Sequence, residues 1–190
     1  MNGFIQWLIQ ADTNLFLAVN GLHSTFLDTV MYWASNRWIW IPLYAWILFR
    51  LVKFDGKKIF RIILFVALLI TASDQLSSSV IKKFVERPRP CHETSLEGKV
   101  HIVNNYCGGE FGFVSSHATN CFALLSFLFL LTRRKEKLMI KLLLAWAIIV
   151  SYSRIYLGVH YPGDVICGAL LGIFLGGIFS MIYFRIGTKL

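Results

Sequence analysis

The chain has 190 residues, the length of one ordinary domain, and 56% of them are hydrophobic, with a mean hydropathy of +0.62. Soluble domains average nearer ~45–50% apolar, and the apolar residues here come in runs approaching the ~20 residues that cross a bilayer. The net charge of +9 does not indicate nucleic-acid binding, because the basic residues sit at the ends of apolar runs rather than on one soluble face; they fit membrane topology and anionic headgroups instead.

From Phe4 to Trp33 apolar residues alternate with Gln6, Asp12, Asn14, Asn20, His23 and Asp28. That is too polar for a clean span and predicts one or two amphipathic helices in an N-terminal interfacial region over residues 1–36. A weak first span from Leu15 to Ala34 is the competing reading. No basic stretch precedes an apolar core, so no cleavable signal peptide is expected. Spans are predicted at Trp38–Val52 and Ile59–Ile81, followed by a long polar loop over 82–117. Three more follow at Ala118–Thr132, Leu138–Tyr152 and Val165–Phe184. The expected fold is a single all-α domain over 1–190, a polytopic bundle of about five spans plus the interfacial helix.

Charge orients this bundle. Lys53, Lys57, Lys58 and Arg61, then Arg133, Arg134, Lys135 and Lys137, then Arg185 and Lys189, fall on one side when five spans alternate. The positive-inside rule makes that side cytoplasmic. Glu86, Glu93, Glu97, Glu110 and Asp164 fall opposite, so the 82–117 loop and the 153–164 connection are expected outside. Cys121 and Cys167 lie within apolar runs as buried thiols. Cys91 and Cys107 bracket the polar loop and are candidates for a disulfide if that loop faces an oxidising compartment.

Topology brings three polar clusters together on the outer face: Lys82 to Pro90, Val114 to His117, and Ser153 to Asp164. Arg89 and Arg154 offer planar forks that match phosphate oxygens, and Lys82 adds a point charge. Ser115 and Ser116 stand at a helix start, where free amides favour anions. His160 and Asp164 are spaced i, i+4, so the carboxylate can turn back and hold the imidazole.

These clusters resemble the signature of the type 2 phosphatidic acid phosphatase superfamily, which includes the vanadium haloperoxidases. Lys82 with Arg89-Pro90 matches its first part, Ser115 and His117 its second, and Ser153-Arg154, His160 and Asp164 its third. Val114 and Ser116 stand where that signature has Pro and Gly. The resemblance implies the phosphatidic acid phosphatase/haloperoxidase fold. It also implies that His160 attacks phosphorus, Asp164 orients His160, and His117 protonates the leaving oxygen and later activates water. Lys82, Arg89, Ser115, Ser116 and Arg154 would bind the phosphate, with no cofactor and no metal.

Other residues carry plainer expectations. Asp74 and Ser153 are expected to support the site from behind, Asp74 through Lys82 or Arg154. Arg87 reads as solvated, Lys83 as a headgroup anchor, and His92 and His101 as surface loop residues. Trp33, Trp38, Trp40, Tyr44 and Trp46 suggest an interface belt. Gly168, Gly172, Gly176 and Gly177 suggest close helix packing, within the monomer or to a second copy.

The functional expectation is a lipid phosphatase in a bacterial inner membrane with its site facing the periplasm. Its partners would be a lipid phosphate substrate and membrane lipids, with no nucleic acid. Undecaprenyl diphosphate is the first choice of substrate; lipid A, phosphatidylglycerol phosphate and phosphatidate are alternatives. A lipid phosphotransferase and a non-catalytic lipid-binding protein are the other readings.

Overall fold

The structure, a computed structural model, describes residues 3–132 and 135–187; Arg133, Arg134 and Lys189 of the expected basic rim lie outside them. Eight α-helices account for most of these residues, and no strand occurs among them. The first is α1 (Gly3–Asn20). It ends at a turn that leads to Ser24, whose side chain accepts from the Leu27 amide and so caps α2 (Thr25–Ser35). The break at this turn removes the continuous span over Leu15–Ala34. Asp12, Phe16 and Asn20 of α1 contact Gly163, Tyr161 and Tyr156, which places the helix across the ends of the helices that carry those residues.

A single-turn 3₁₀ segment then leads into α3 (Ile41–Asp55), with Pro42 in its first turn. Asp55 leaves helical geometry at φ −155°, ψ 69°, and the chain reverses. The returning helix is α4 (Ile59–Gln75), which runs through a π-helical segment, Leu76–Ile81, into α5 (Lys82–Val85). Glu86, at φ 52°, ends α5 in the left-handed region. The helix therefore continues four residues into the stretch expected as loop, and Lys82 and Lys83 are helical. Next come α6 (Ser116–Leu131), α7 (Lys137–Tyr156) and α8 (Pro162–Gly187).

By length and composition three segments suffice to cross a membrane: Arg37–Val85, Lys137–Tyr156 and Pro162–Ile186. The first of them holds two helices folded back at Asp55, and Ser116–Leu131 is apolar but shorter. Long-range contacts fix their directions. Arg50 pairs with Glu136 at 2.6 Å, at the start of α7, while Trp40 and Tyr44 pack edge-on against Trp146 further along it. Arg61 stacks over Tyr183 near the end of α8, and Asp74 meets Asn120 on α6. α3 thus runs antiparallel to α7, and α4 antiparallel to α6 and α8, while α6 and α8 run parallel to each other; Arg50, Lys58 and Arg61 lie at one end and Lys82, His117, Arg154 and His160 at the other. Trp40 and Tyr44 serve the core through Trp146, while Trp33 and Trp38 remain exposed like belt residues.

The glycine run acts within the monomer. A Cβ at Gly168, Gly172 or Gly176 would stand 2.7, 2.3 or 2.5 Å from the Ser115, Thr119 or Ala123 carbonyl of α6 and its N-cap, whereas one at Gly177 would meet nothing within 4 Å. Glycine thus lets two backbones touch where apolar side chains alone would hold them apart. This close contact sets Ser115 and His117 beside the start of α8. Gly172→Leu is expected to lower the thermal transition of the detergent-solubilised protein by the equivalent of about 1–3 kcal/mol or more, while Gly177→Ala leaves it nearly unchanged; differential scanning fluorimetry checks both.

Candidate active site

The three polar clusters converge at the end of the bundle opposite the Arg50–Glu136 pair. Past Glu86 the chain crosses the bundle in extended form. The Arg89 amide donates to Glu110 O at 3.0 Å and the Gly112 amide to Arg87 O at 2.8 Å, with Pro88 facing Phe111. This short pairing aims Arg89 inward; it is only 8% exposed. The loop is closed by the Cys91–Cys107 disulfide, Cα atoms 6.0 Å apart. His92 gathers with these two cysteines, but sulfurs bonded to each other are not thiolate metal ligands. From the other side, α7 ends at Tyr156, and Gly158, at φ +77°, turns the chain so that His160 points back into the bundle. Asn20 locks that turn, donating to Tyr156 O at 2.8 Å and His101 O at 2.9 Å.

His160 is 1% exposed and Asp164 fully buried. Nδ1 of His160 faces Asp164 Oδ2 at 3.5 Å; Nε2 lies 3.4 Å from Arg89 Nη1. The ring thus has a carboxylate behind it and a cation in front. His117, on the first turn of α6, lies within electrostatic reach of His160, Arg154, Lys82 and Arg89. The Ser115 amide donates to Asp164 O at 3.0 Å, which joins the second cluster to the third. Ser115 Oγ, Ser116 Oγ, Arg89 Nε, Arg154 Nε and His160 Nδ1 are all buried without a hydrogen-bond partner within the protein. Buried polar atoms are rarely left so; His160 Nδ1 has the Asp164 carboxylate beside it, and the two serine hydroxyls and two arginine nitrogens are suited to a group rich in acceptor oxygens. Burial, with Arg154, Arg89 and Lys82 close by, holds the His160 imidazole well below its ordinary pKa of 6.5. It is therefore neutral near pH 7 and keeps a lone pair.

Four supporting residues stand differently from expectation. Arg87 is not solvated: it donates to Asp164 Oδ1 at 2.8 Å and Asp12 Oδ2 at 2.7 Å, with its guanidinium 3.9 Å from the Tyr161 ring centroid. Burial would lower its pKa, but the two carboxylates outweigh that and raise it. Ser153 donates to Val150 O at 2.7 Å, one turn back on its own helix, and so turns away from the site. Asp74 accepts from Asn120 at 3.2 Å, an amide partner that the spacing does not announce, and lies within electrostatic reach of Lys82 without touching it. His101 pairs with Asp28 at 2.9 Å and stacks on His23, tying the loop to α2 rather than facing solvent alone. Ser35, from α2, accepts from Arg154. Nothing in the spacing of Asp12 or Ser35 announces these roles; only the polarity of Asp12 within an apolar helix is a signal.

Residues 62–187 match the PAP2 superfamily. The chain is 43% identical to a lipid A 4'-phosphatase of Bacteroides thetaiotaomicron, over 98% of this chain and 83% of that protein. It is 34% identical to one of Porphyromonas gingivalis, over 94% and 75%. It superimposes on a crystal structure of a transmembrane PAP2-type phosphatidylglycerolphosphate phosphatase from Bacillus subtilis with a TM-score of 0.70, covering 97% of this chain and 89% of that one at 23% identity. The two curated relatives are named for lipid A, which stood among the alternatives, and not for undecaprenyl diphosphate, the first expectation.

A histidine kept neutral in the fold gives stability a defined slope. Below about pH 6.5 the unfolded chain binds a proton at His160 that the folded chain does not, so stability is present above that pH and falls as pH drops below it. Thermal unfolding followed between about pH 8 and pH 5 is expected to show this loss, and His160→Gln to reduce its slope.

Proposed function

We propose that this chain, which belongs to the PAP2 superfamily and is an integral membrane lipid phosphatase, removes a phosphate from lipid A at the outer face of a bacterial inner membrane. The observation that carries the mechanism is the placement of His160 between Asp164 at 3.5 Å and Arg89 at 3.4 Å. The relatives carry the substrate: both align along nearly the whole chain and bear a lipid A name. The basic residues gathered at the far end of the bundle favour the outward orientation.

The geometry supports the following chemistry. The lone pair on His160 Nε2 attacks phosphorus; a P–N bond forms as the P–O bond to the lipid breaks. His117 gives its proton to the departing oxygen. Water then attacks the phosphohistidine, His117 takes its proton, the P–N bond breaks and phosphate leaves. Asp164 stabilises the charge that His160 acquires. Lys82, Arg89, Arg154 and the two serine hydroxyls hold the equatorial oxygens. Cations and hydroxyls supply the stabilisation that a metal supplies elsewhere, so a chelator is expected to leave the rate unchanged.

The test is phosphate release by purified protein in detergent. The panel is lipid A, undecaprenyl diphosphate, phosphatidylglycerol phosphate and phosphatidate, each with and without chelator. Lipid A is expected to be cleaved fastest, and His160→Ala to lose at least about 10³-fold in kcat. Faster cleavage of another lipid overturns the substrate. Loss of activity with chelator, or its survival in His160→Ala, overturns the mechanism. Release of free phosphate without an acceptor distinguishes a hydrolase from a phosphotransferase.

A further inference from the structure

We propose that Asp12 and Arg87 are a positioning pair for Asp164, and that α1, which carries Asp12, is thereby part of the catalytic apparatus. The inference rests on the reading of His160 as nucleophile.

Asp164 can serve His160 only if one oxygen faces the ring. Its Oδ2 does so while also accepting from the Tyr161 amide at 3.0 Å; its Oδ1 is taken by Arg87 Nη1 at 2.8 Å. With both oxygens bound from fixed directions, the carboxylate cannot rotate. The other arm of the Arg87 fork is held by Asp12 Oδ2 at 2.7 Å, and the planar guanidinium transmits that restraint. Asp12 Oδ1 accepts from the Gly163 amide at 2.7 Å, one residue before Asp164. A Cβ at Gly163 would lie 2.8 Å from the Asp12 carboxylate, so only glycine admits this approach. Asp12 is thus bound both to the arginine that grips Asp164 and to the backbone that carries it.

Charge points the same way. Asp12, Arg87 and Asp164 together carry one negative charge, and His160 gains one positive charge when it is phosphorylated. A lone Arg87–Asp164 pair would be neutral and a weaker partner for that charge. A lone buried Asp164 would be driven toward its protonated form. The groups facing this trio are Tyr161 and His160 from the α7–α8 connection, Cys167 from α8, Arg89 from the segment after α5, and Lys82 from α5. Both cations favour an ionised Asp164, but neither makes a direct hydrogen bond to it, so neither fixes its rotation.

The experiment compares Arg87→Gln, Arg87→Lys and Asp12→Asn with the wild type on the lipid cleaved fastest, with kcat and KM measured across pH. Arg87→Gln is expected to lower kcat about 10–100-fold, to leave KM within about threefold, and to move the acid limb of kcat up by about one pH unit or more. Arg87→Lys keeps the charge without the fork, so kcat falls while the limb stays in place. Asp12→Asn is expected to lower kcat with an unshifted KM. A purely structural role would scale kcat equally at every pH. If Arg87→Gln retains the wild-type kcat or acid limb, the proposal is overturned. If Arg87→Gln does not fold, Arg87→Lys and Asp12→Asn decide, and wild-type kcat in both overturns it. Activity surviving in His160→Ala would instead sink the nucleophile reading on which this one stands.

Discussion

Three cations, Lys82, Arg89 and Arg154, surround one largely buried imidazole, and that crowding sets the terms for the rest of the molecule. Like charges brought together away from water repel strongly unless anions or oriented dipoles balance them. Asp164 supplies part of the balance from behind His160. In the proposed mechanism the remainder is left for a phosphate, whose oxygens would match the unpartnered Ser115, Ser116, Arg89 and Arg154 atoms. On that reading the cations and hydroxyls stand in place before the ligand arrives, which is the preorganisation that electrostatic catalysis needs.

Holding such a cluster requires a stiff frame, and the frame is mostly backbone. The glycine contacts between α6 and α8, the extended pairing of 87–89 with 110–112 and the left-handed turn at Gly158 each fix a main-chain segment rather than a side chain.

The bundle and the residues that converge at its polar end were legible in the sequence because each obeys a local rule. Apolar runs mark spans, basic residues mark one rim, and Lys82, Arg89, His117, Arg154, His160 and Asp164 keep fixed spacings. What escaped depends on contacts that spacing does not encode. Arg87 and Arg89 each precede a proline and lie two residues apart, so extended backbone sends both the same way; that one grips Asp164 while the other faces His160 is set by the tertiary fold alone. Ser153 lies inside a catalytic motif but bonds its own helix. Asp74 finds its partner 46 residues away at Asn120. The glycine run announces close packing without naming the helix that takes it.

Asp12 bonds an amide 151 residues further along the chain, and this has a consequence for biosynthesis. Chains enter the membrane from the N-terminus, so α1 emerges first and finds no Gly163 or Arg87 to dock on until α5 and α8 have followed. The contacts of Asp12 with Arg87 and Gly163 can form only after the start of the last helix is in place. On the proposed role of Asp12, a nascent chain that lacks the start of α8 would carry His117 without the clamped carboxylate, and the site would be completed only once α1 has docked on Gly163.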